Sequence, residues 1–399
     1  MSYQYALINK ETLIHICDSK QVTKEYIVSK TNLNTGKWEQ WIDLNDALLP
    51  TIRQAKAIAS CLHIPFAALY MNASDIPPKA LPKVRNMRTL YGSQTNDDSA
   101  LNIAMIDILL ERDFFISICK DLGMAYERFA PSVPTTNDAK SWADAIRKYF
   151  SLDIEDQYKC ASTRKYYLYL REKIEQRGVF IHCFRDVPVD DTRGFAISES
   201  VLPIIGINAE DRSPAKAFTI IHELVHLYKR ESSMCNEMFN ARTTQAEEIF
   251  CNAVAGELLV PERALRIILK NNSYTSPFTR DDIGAIANRF SVSREVVIRR
   301  LLDTGEIDNA EYQTYSNEFR LEIEKEREEQ RIQRQNGIPS SFRKSVSRDA
   351  IDRTSTAVCN ALYHGFQEEM FSKRDIAHHL GIAQRHVDGF LSEVSKWNR

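Results

Sequence analysis

His222-Glu223-Leu224-Val225-His226 is an H-E-x-x-H pattern in a stretch that reads as helix. Two histidines four apart leave the same helix face one turn apart, so both imidazoles can reach a single metal ion. Glu223 is too close in sequence to join them as a ligand. It stands where it can take a proton from a water held by that metal. Ala217, Phe218, Ile221 and Val225 supply an apolar stripe at helical spacing. Ser213 offers an N-cap, and Pro214 suits the first helical position.

A second helix must supply a third ligand. Residues 245–260 carry Glu247-Glu248-Ile249-Phe250-Cys251-Asn252 and then an apolar run that stops before Pro261. Thr244 and Glu247 have the spacing of a capping box. That occupies Glu247 at the helix start and leaves Glu248 as the ligand; a helix starting one residue earlier would exchange their roles. Asn252 lies one turn beyond Glu248, placed to brace the ligands from behind. The expected centre is Zn2+ on His222, His226 and Glu248 with one position open, the arrangement of catalytic rather than structural zinc.

Two segments carry a family resemblance. Ala217-Phe-Thr-Ile-Ile-His-Glu-Leu-Val-His-Leu227 and Glu248-x-x-Cys-Asn-x-Val-Ala-Gly-Glu-Leu-Leu-Val-Pro261 resemble the ImmA/IrrE family of zinc metallopeptidases. Cys251, Val254 and Gly256 stand where that family has alanine, phenylalanine and alanine, and none of these is a ligand position. The resemblance implies a gluzincin-like site with Glu248 as third ligand. It also implies substrates that are regulatory DNA-binding proteins, often repressors, and in some members a place in toxin–antitoxin pairs.

At 399 residues the chain is expected to hold more than one domain. With 43% hydrophobic and 27% charged residues it reads as soluble and globular. No apolar run reaches the ~18 residues of a membrane span. Met1-Ser-Tyr-Gln-Tyr-Ala lacks the features of a signal peptide, which gives a cytoplasmic expectation. The eight cysteines include no C-x-x-C pair, so they read as reduced, mostly buried thiols. A formal net charge of −2 gives no reason to expect strong non-specific binding to nucleic acid.

Along the chain the reading is α+β: a mainly helical, multidomain chain with a small-sheet metallopeptidase domain. Residues 1–75 form short helices whose Trp38-Glu39 and Pro50-to-Tyr70 pattern resembles XRE-type helix-turn-helix domains. The usual glycine is missing and extra residues precede Pro50, so a recognition helix near 34–41 is expected without assigned groove-facing residues. Its charges balance to zero, which leaves DNA contact and protein contact both open. Residues 76–136 are a linker and an apolar helix at 100–122, whose Phe114-Phe115 pair reads as core. The metallopeptidase domain spans 137–305, with helices at 138–150 and 162–177 and strands at 179–184, 194–197 and 203–207. The strand around Arg193 is read as a sheet edge, with Gly194, Phe195 and Ala196 as the substrate-binding segment, because glycine admits close backbone approach. His182 reads as packed. Two helices meeting at Ser291 pack the domain, a charged linking helix covers 306–340, and a helix-turn-helix-like unit covers 341–399. His378-His379 in that last unit reads as non-metal.

Two functions follow. One is a cytoplasmic zinc endopeptidase with Glu223 as general base, acting on a protein substrate such as a DNA-binding repressor or a cognate toxin. The other is a DNA-binding regulator or antitoxin in which the peptidase fold serves as scaffold or switch. Neither involves a membrane.

Overall fold

The computed structural model describes residues 4–76, 81–82, 85–86, 97–230, 233–235, 246–335 and 345–397. The chain is mainly helical and carries one small mixed sheet. Among the described residues no helix is long and apolar enough to cross a membrane.

Four short helices open the chain: α1 (Lys10–Ser19), α2 (Lys24–Thr31), α3 (Thr35–Ile42) and α4 (Ile52–Cys61). Asn9, Thr23, Asn34 and Thr51 each accept a backbone N–H at the start of the helix that follows, which explains why each begins where it does. Trp38 and Trp41 turn inward from α3 and share a core with Leu13, Ile27 and Ile58. Lys37, Glu39 and Gln40 remain on the exposed face of α3.

The linker expected at 76–98 lies largely outside the described residues, but Arg85–Asn86 within it forms strand β1. The apolar helix follows as α5 (Ser99–Leu122) and stops at Gly123, which takes a left-handed φ of +64°. Ile103 of α5 joins the N-terminal core, whereas Leu101, Met105, Ile108 and Phe115 join a different one. His63 Nδ1 and Lys20 Nζ reach Asp107 of α5 at 2.5 and 4.0 Å, tying the N-terminal helices to it.

Next come α6 (Ala139–Phe150), the short α7 (Ile154–Lys159), which the spacing of apolar residues does not reveal, and α8 (Thr163–Glu175). Asp138, Asp153 and Ser162 cap them. Strands β2 (Phe180–Phe184), β3 (Gly194–Ile197) and β4 (Ile204–Asn208) then lead into α9 (Ser213–Tyr228), strand β5 (Ser233–Cys235) and α10 (Ala246–Leu259). Helices α11 (Glu262–Asn272), α12 (Arg280–Phe290) and α13 (Arg294–Asp303) close the region, with the turn at Ser291 in the left-handed conformation. Phe290, Val297 and Leu301 pack into the same core as α9, the packing role expected of these helices. The charged helix α14 (Asn309–Gln335) starts earlier than its charge run and buries Tyr312 and Phe319 before becoming solvated.

In the sheet, β2 pairs in parallel with β4, and β4 pairs antiparallel with β3. These three strands form its body. The short strands extend it in the order β1-β5-β3-β4-β2. The expectation that the strand at Gly194 is a free edge is therefore corrected. Gly194, Phe195 and Ala196 lie opposite Cys235, Met234 and Ser233 of β5. A three-residue strand has no periodicity to announce itself, so the sequence did not signal this neighbour.

Side chains alternate across the sheet. Ile181, Cys183, Ala196, Ile205 and Ile207 face the core built by α6, α8, α9 and α10. Phe180, Phe184, Phe195 and Ile197 face the other way, onto α5 and the C-terminal helices α15 (Val346–Arg353), α16 (Thr356–Gln367), α17 (Lys373–His379) and α18 (Val387–Val394). These C-terminal helices are held by a buried pair on α8. Arg171 donates to the carbonyls of Asp352, at 2.8 Å, and Thr354. Glu175 accepts from Ser355 Oγ at 2.7 Å and from the Thr356 N–H at the start of α16, where a carboxylate complements the helix dipole. His379 meets an acid after all, Glu111 of α5, at 2.8 Å, and stacks on Phe114 at 4.0 Å. It gathers no further metal-ligating group among the described residues.

Candidate metal centre

Helix α9 is the axis of the site. Ala215 and every residue from Ala217 to Tyr228 are buried, so this helix is apolar nearly all round and runs through the core. It begins one residue earlier than expected: Ser213 is inside the helix, and Arg212 holds the N-cap position without a side-chain bond. Pro214 still lies in the first turn, where its missing N–H costs nothing.

Helix α10 packs between α6 and α9. It presents Glu248 and Asn252, both buried, from one face. Thr244, the expected cap, lies outside the described residues. Glu247 is only partly buried, and its carboxylate stands 3.9 Å from both His226 Nδ1 and Lys229 Nζ.

The donor atoms converge. His222 Nε2 and His226 Nε2 are 3.3 Å apart. Glu248 Oε2 and Oε1 lie 3.2 Å from His222 Nε2 and His226 Nε2 respectively. A tetrahedral ion with bonds of about 2.0–2.1 Å needs ligand atoms about 3.3 Å from one another. The three side chains therefore fit zinc in spacing as well as in chemistry. His222, His226 and Glu248 form a buried triad consistent with a zinc-binding catalytic site.

The outer atoms of the triad are also engaged. His222 Nδ1 donates to Asn252 Oδ1 at 2.9 Å, which turns Nε2 toward the triad. Cys251 Sγ lies 4.0 Å from His226 Nδ1. Burial works against charge on Glu248, but hydrogen bonds from His222 and His226 prevail and hold its carboxyl well below the usual range. Burial likewise disfavours protonated His222, and the Glu248 carboxylate outweighs it. Glu223 is fully buried, and burial raises its carboxyl above the ordinary value.

Ser233 Oγ of β5 donates to Glu223 Oε2 at 3.0 Å. Ser233 and Cys251 are site neighbours that sequence reasoning missed: one sits in a strand too short to read, and the other looked like a core substitution. Gly194 lies beneath α9, where a Cβ would collide with Thr219 and stand 3.4 Å from Glu223 Cγ. His182 is outside the triad, near Phe180 on the opposite face of the sheet, and burial lowers its pKa to about 4.

Residues 174–302 match the IrrE N-terminal-like domain of a peptidase family. This segment is an IrrE/ImmA-like peptidase domain. It holds all three residues of the triad and covers about a third of the chain. No curated protein matches the chain.

Proposed function

We propose that the chain is a zinc-dependent endopeptidase acting on a specific regulatory protein. The observation that carries this reading is the convergence of His222, His226 and Glu248 beside the buried carboxyl of Glu223. Zinc, when bound, would polarise the scissile carbonyl and lower the pKa of water toward neutrality. Glu223 accepts the proton of the attacking water and passes it to the leaving amine. Asn252 holds the His222 ring in the tautomer a ligand needs. Gly194, Phe195 and Ala196 present the backbone on which an extended segment of substrate pairs.

A dedicated partner, a DNA-binding repressor or a cognate toxin, is part of this proposal. Helical units flank the peptidase domain on both sides, and the sequence resemblance implies regulators as substrates. The test has three parts. The purified protein should carry about one zinc per chain. Glu223→Gln should keep that metal and lose at least ~10²-fold of its peptidase activity. Casein should survive incubation with the zinc-loaded protein, and its rapid digestion would rule out a dedicated partner.

The second reading, a DNA-binding regulator, is favoured by one observation: the N-terminal helices keep a core centred on their own residues. A gel-shift at moderate salt tests it. Specific binding by the intact chain that Lys37→Glu abolishes would support this reading, because Lys37 lies on the exposed face of α3.

A further inference from the structure

The side of β3 that faces away from β4 is taken by β5. In the peptidase reading, this is the side on which an extended substrate segment would add as a strand. Two observations place β5 at the chemistry. Gly194 of β3 lies under α9, where an added Cβ would meet Thr219 and stand 3.4 Å from Glu223 Cγ. Ser233 of β5, opposite Ala196, gives its hydroxyl to Glu223 Oε2, with both residues buried. The space over the catalytic base, where a peptide paired with β3 would run, is thus filled by the chain itself. Nor does β5 offer substrate its own outer edge. Arg85 and Asn86 of β1 pair there with Ser233 and Met234.

We propose that β5 is an intramolecular occupant of the peptide site. The enzyme is latent while β5 is seated, and an extended segment of the protein substrate replaces it strand for strand. This rests on the peptidase reading above. The tether makes it workable. Helix α9 ends at Tyr228 and β5 starts at Ser233, so four residues, 229–232, join them. A strand of three residues is also short enough to yield to a longer segment that makes more backbone hydrogen bonds. Substrates would then be selected for an extended segment that pairs along β3 better than β5 does, and bulk protein without such a segment would be spared.

The experiment uses the zinc-loaded full chain and two probes. Acetohydroxamate binds zinc but has no backbone to pair with β3; a peptide hydroxamate has both. Met234→Pro removes a backbone donor from β5 and unsettles the strand. It should bind the peptide hydroxamate at least about ten-fold tighter than the parent, as expected when the open fraction rises from a tenth or less. A disulfide between Ala196→Cys and Ser233→Cys, which are directly opposite, should block the peptide hydroxamate when oxidised and restore it on reduction. If acetohydroxamate binds but neither variant alters peptide-hydroxamate affinity, the role of β5 is overturned and the metal centre stands. Acetohydroxamate binding to no form would overturn the zinc-peptidase reading, and this proposal with it. Should Met234→Pro not fold, the disulfide pair decides alone: equal affinity in its oxidised and reduced forms overturns the proposal.

Discussion

His222 Nδ1 and Asn252 Oδ1 stand 2.9 Å apart, and the bond between them joins α9 to α10 at a point where a ligand needs its ring held. Removing the acceptor frees the imidazole to rotate or change tautomer. Asn252→Ala should therefore weaken zinc binding about 10-fold or more, measured by competition with a chelator, while Asn252→Asp, which keeps an acceptor, should weaken it less. Unchanged affinity in Asn252→Ala would make it an ordinary helix residue.

Glu248 and Glu247 are adjacent but face different tasks. Glu248→Ala should abolish stoichiometric zinc, because its carboxylate meets both histidines. Glu247→Ala should keep the metal and cost about 1 kcal/mol or less of stability, consistent with a role at the helix start or in its pairing with Lys229. Metal analysis of the two purified variants separates them, and the opposite result would exchange their roles.

Metal removal should be visible as a loss of stability. Zinc at a thousand times its Kd stabilises the folded form by about 4 kcal/mol. At about 2–4 °C per kcal/mol for a domain of this size, chelation should lower the melting temperature by roughly 8–16 °C. Differential scanning fluorimetry with chelator and zinc add-back measures it. Glu248→Ala should show no such shift, and a wild-type curve indifferent to chelator would remove the zinc.

The tie between the N-terminal helices and α5 should depend on pH. The hydrogen bond to Asp107 raises the pKa of His63; burial opposes it, Asp107 and Asp186 add favourable charge, and Lys20 subtracts. A raised histidine contributes stability that is fully present below its ordinary value, about 6.5, and is lost as pH rises through the raised value. Amide protection in α1 and α4, corrected for the base-catalysed intrinsic rate, should therefore fall from pH 6 to pH 9. His63→Gln should flatten that dependence. Because both partners are partly exposed, added salt should weaken the effect.

The site was legible where chemistry imposes spacing. Two histidines one turn apart, and a glutamate one turn before an asparagine, can be read from the chain because the α-helix converts sequence interval into direction. The strands at 180–184, 194–197 and 204–208 were legible for the same reason, since apolar runs between turns announce them. What stayed hidden is long-range. Ser233 meets Glu223 through strand pairing, and nothing in Ser-Met-Cys advertises a strand. Glu111 finds His379 across 268 residues, so the histidine looked solitary. The start of α9 moved by one residue because Ser213 is a good cap by type, and its side chain was not used as one.

The bond between Arg171 and the carbonyls of Asp352 and Thr354 has a consequence for how the protein is made. The peptidase segment leaves the ribosome before the helices that cover the far face of its sheet. At ~5–20 residues per second, on the order of 10–40 s separate synthesis of Arg171 from that of Thr354. Throughout that interval Phe180, Phe184 and Phe195 lack their C-terminal cover, and the Arg171 guanidinium lacks its carbonyl acceptors. The nascent chain is then at its most vulnerable to aggregation and to chaperone capture, and a messenger truncated before codon 346 would yield a product fixed in that condition.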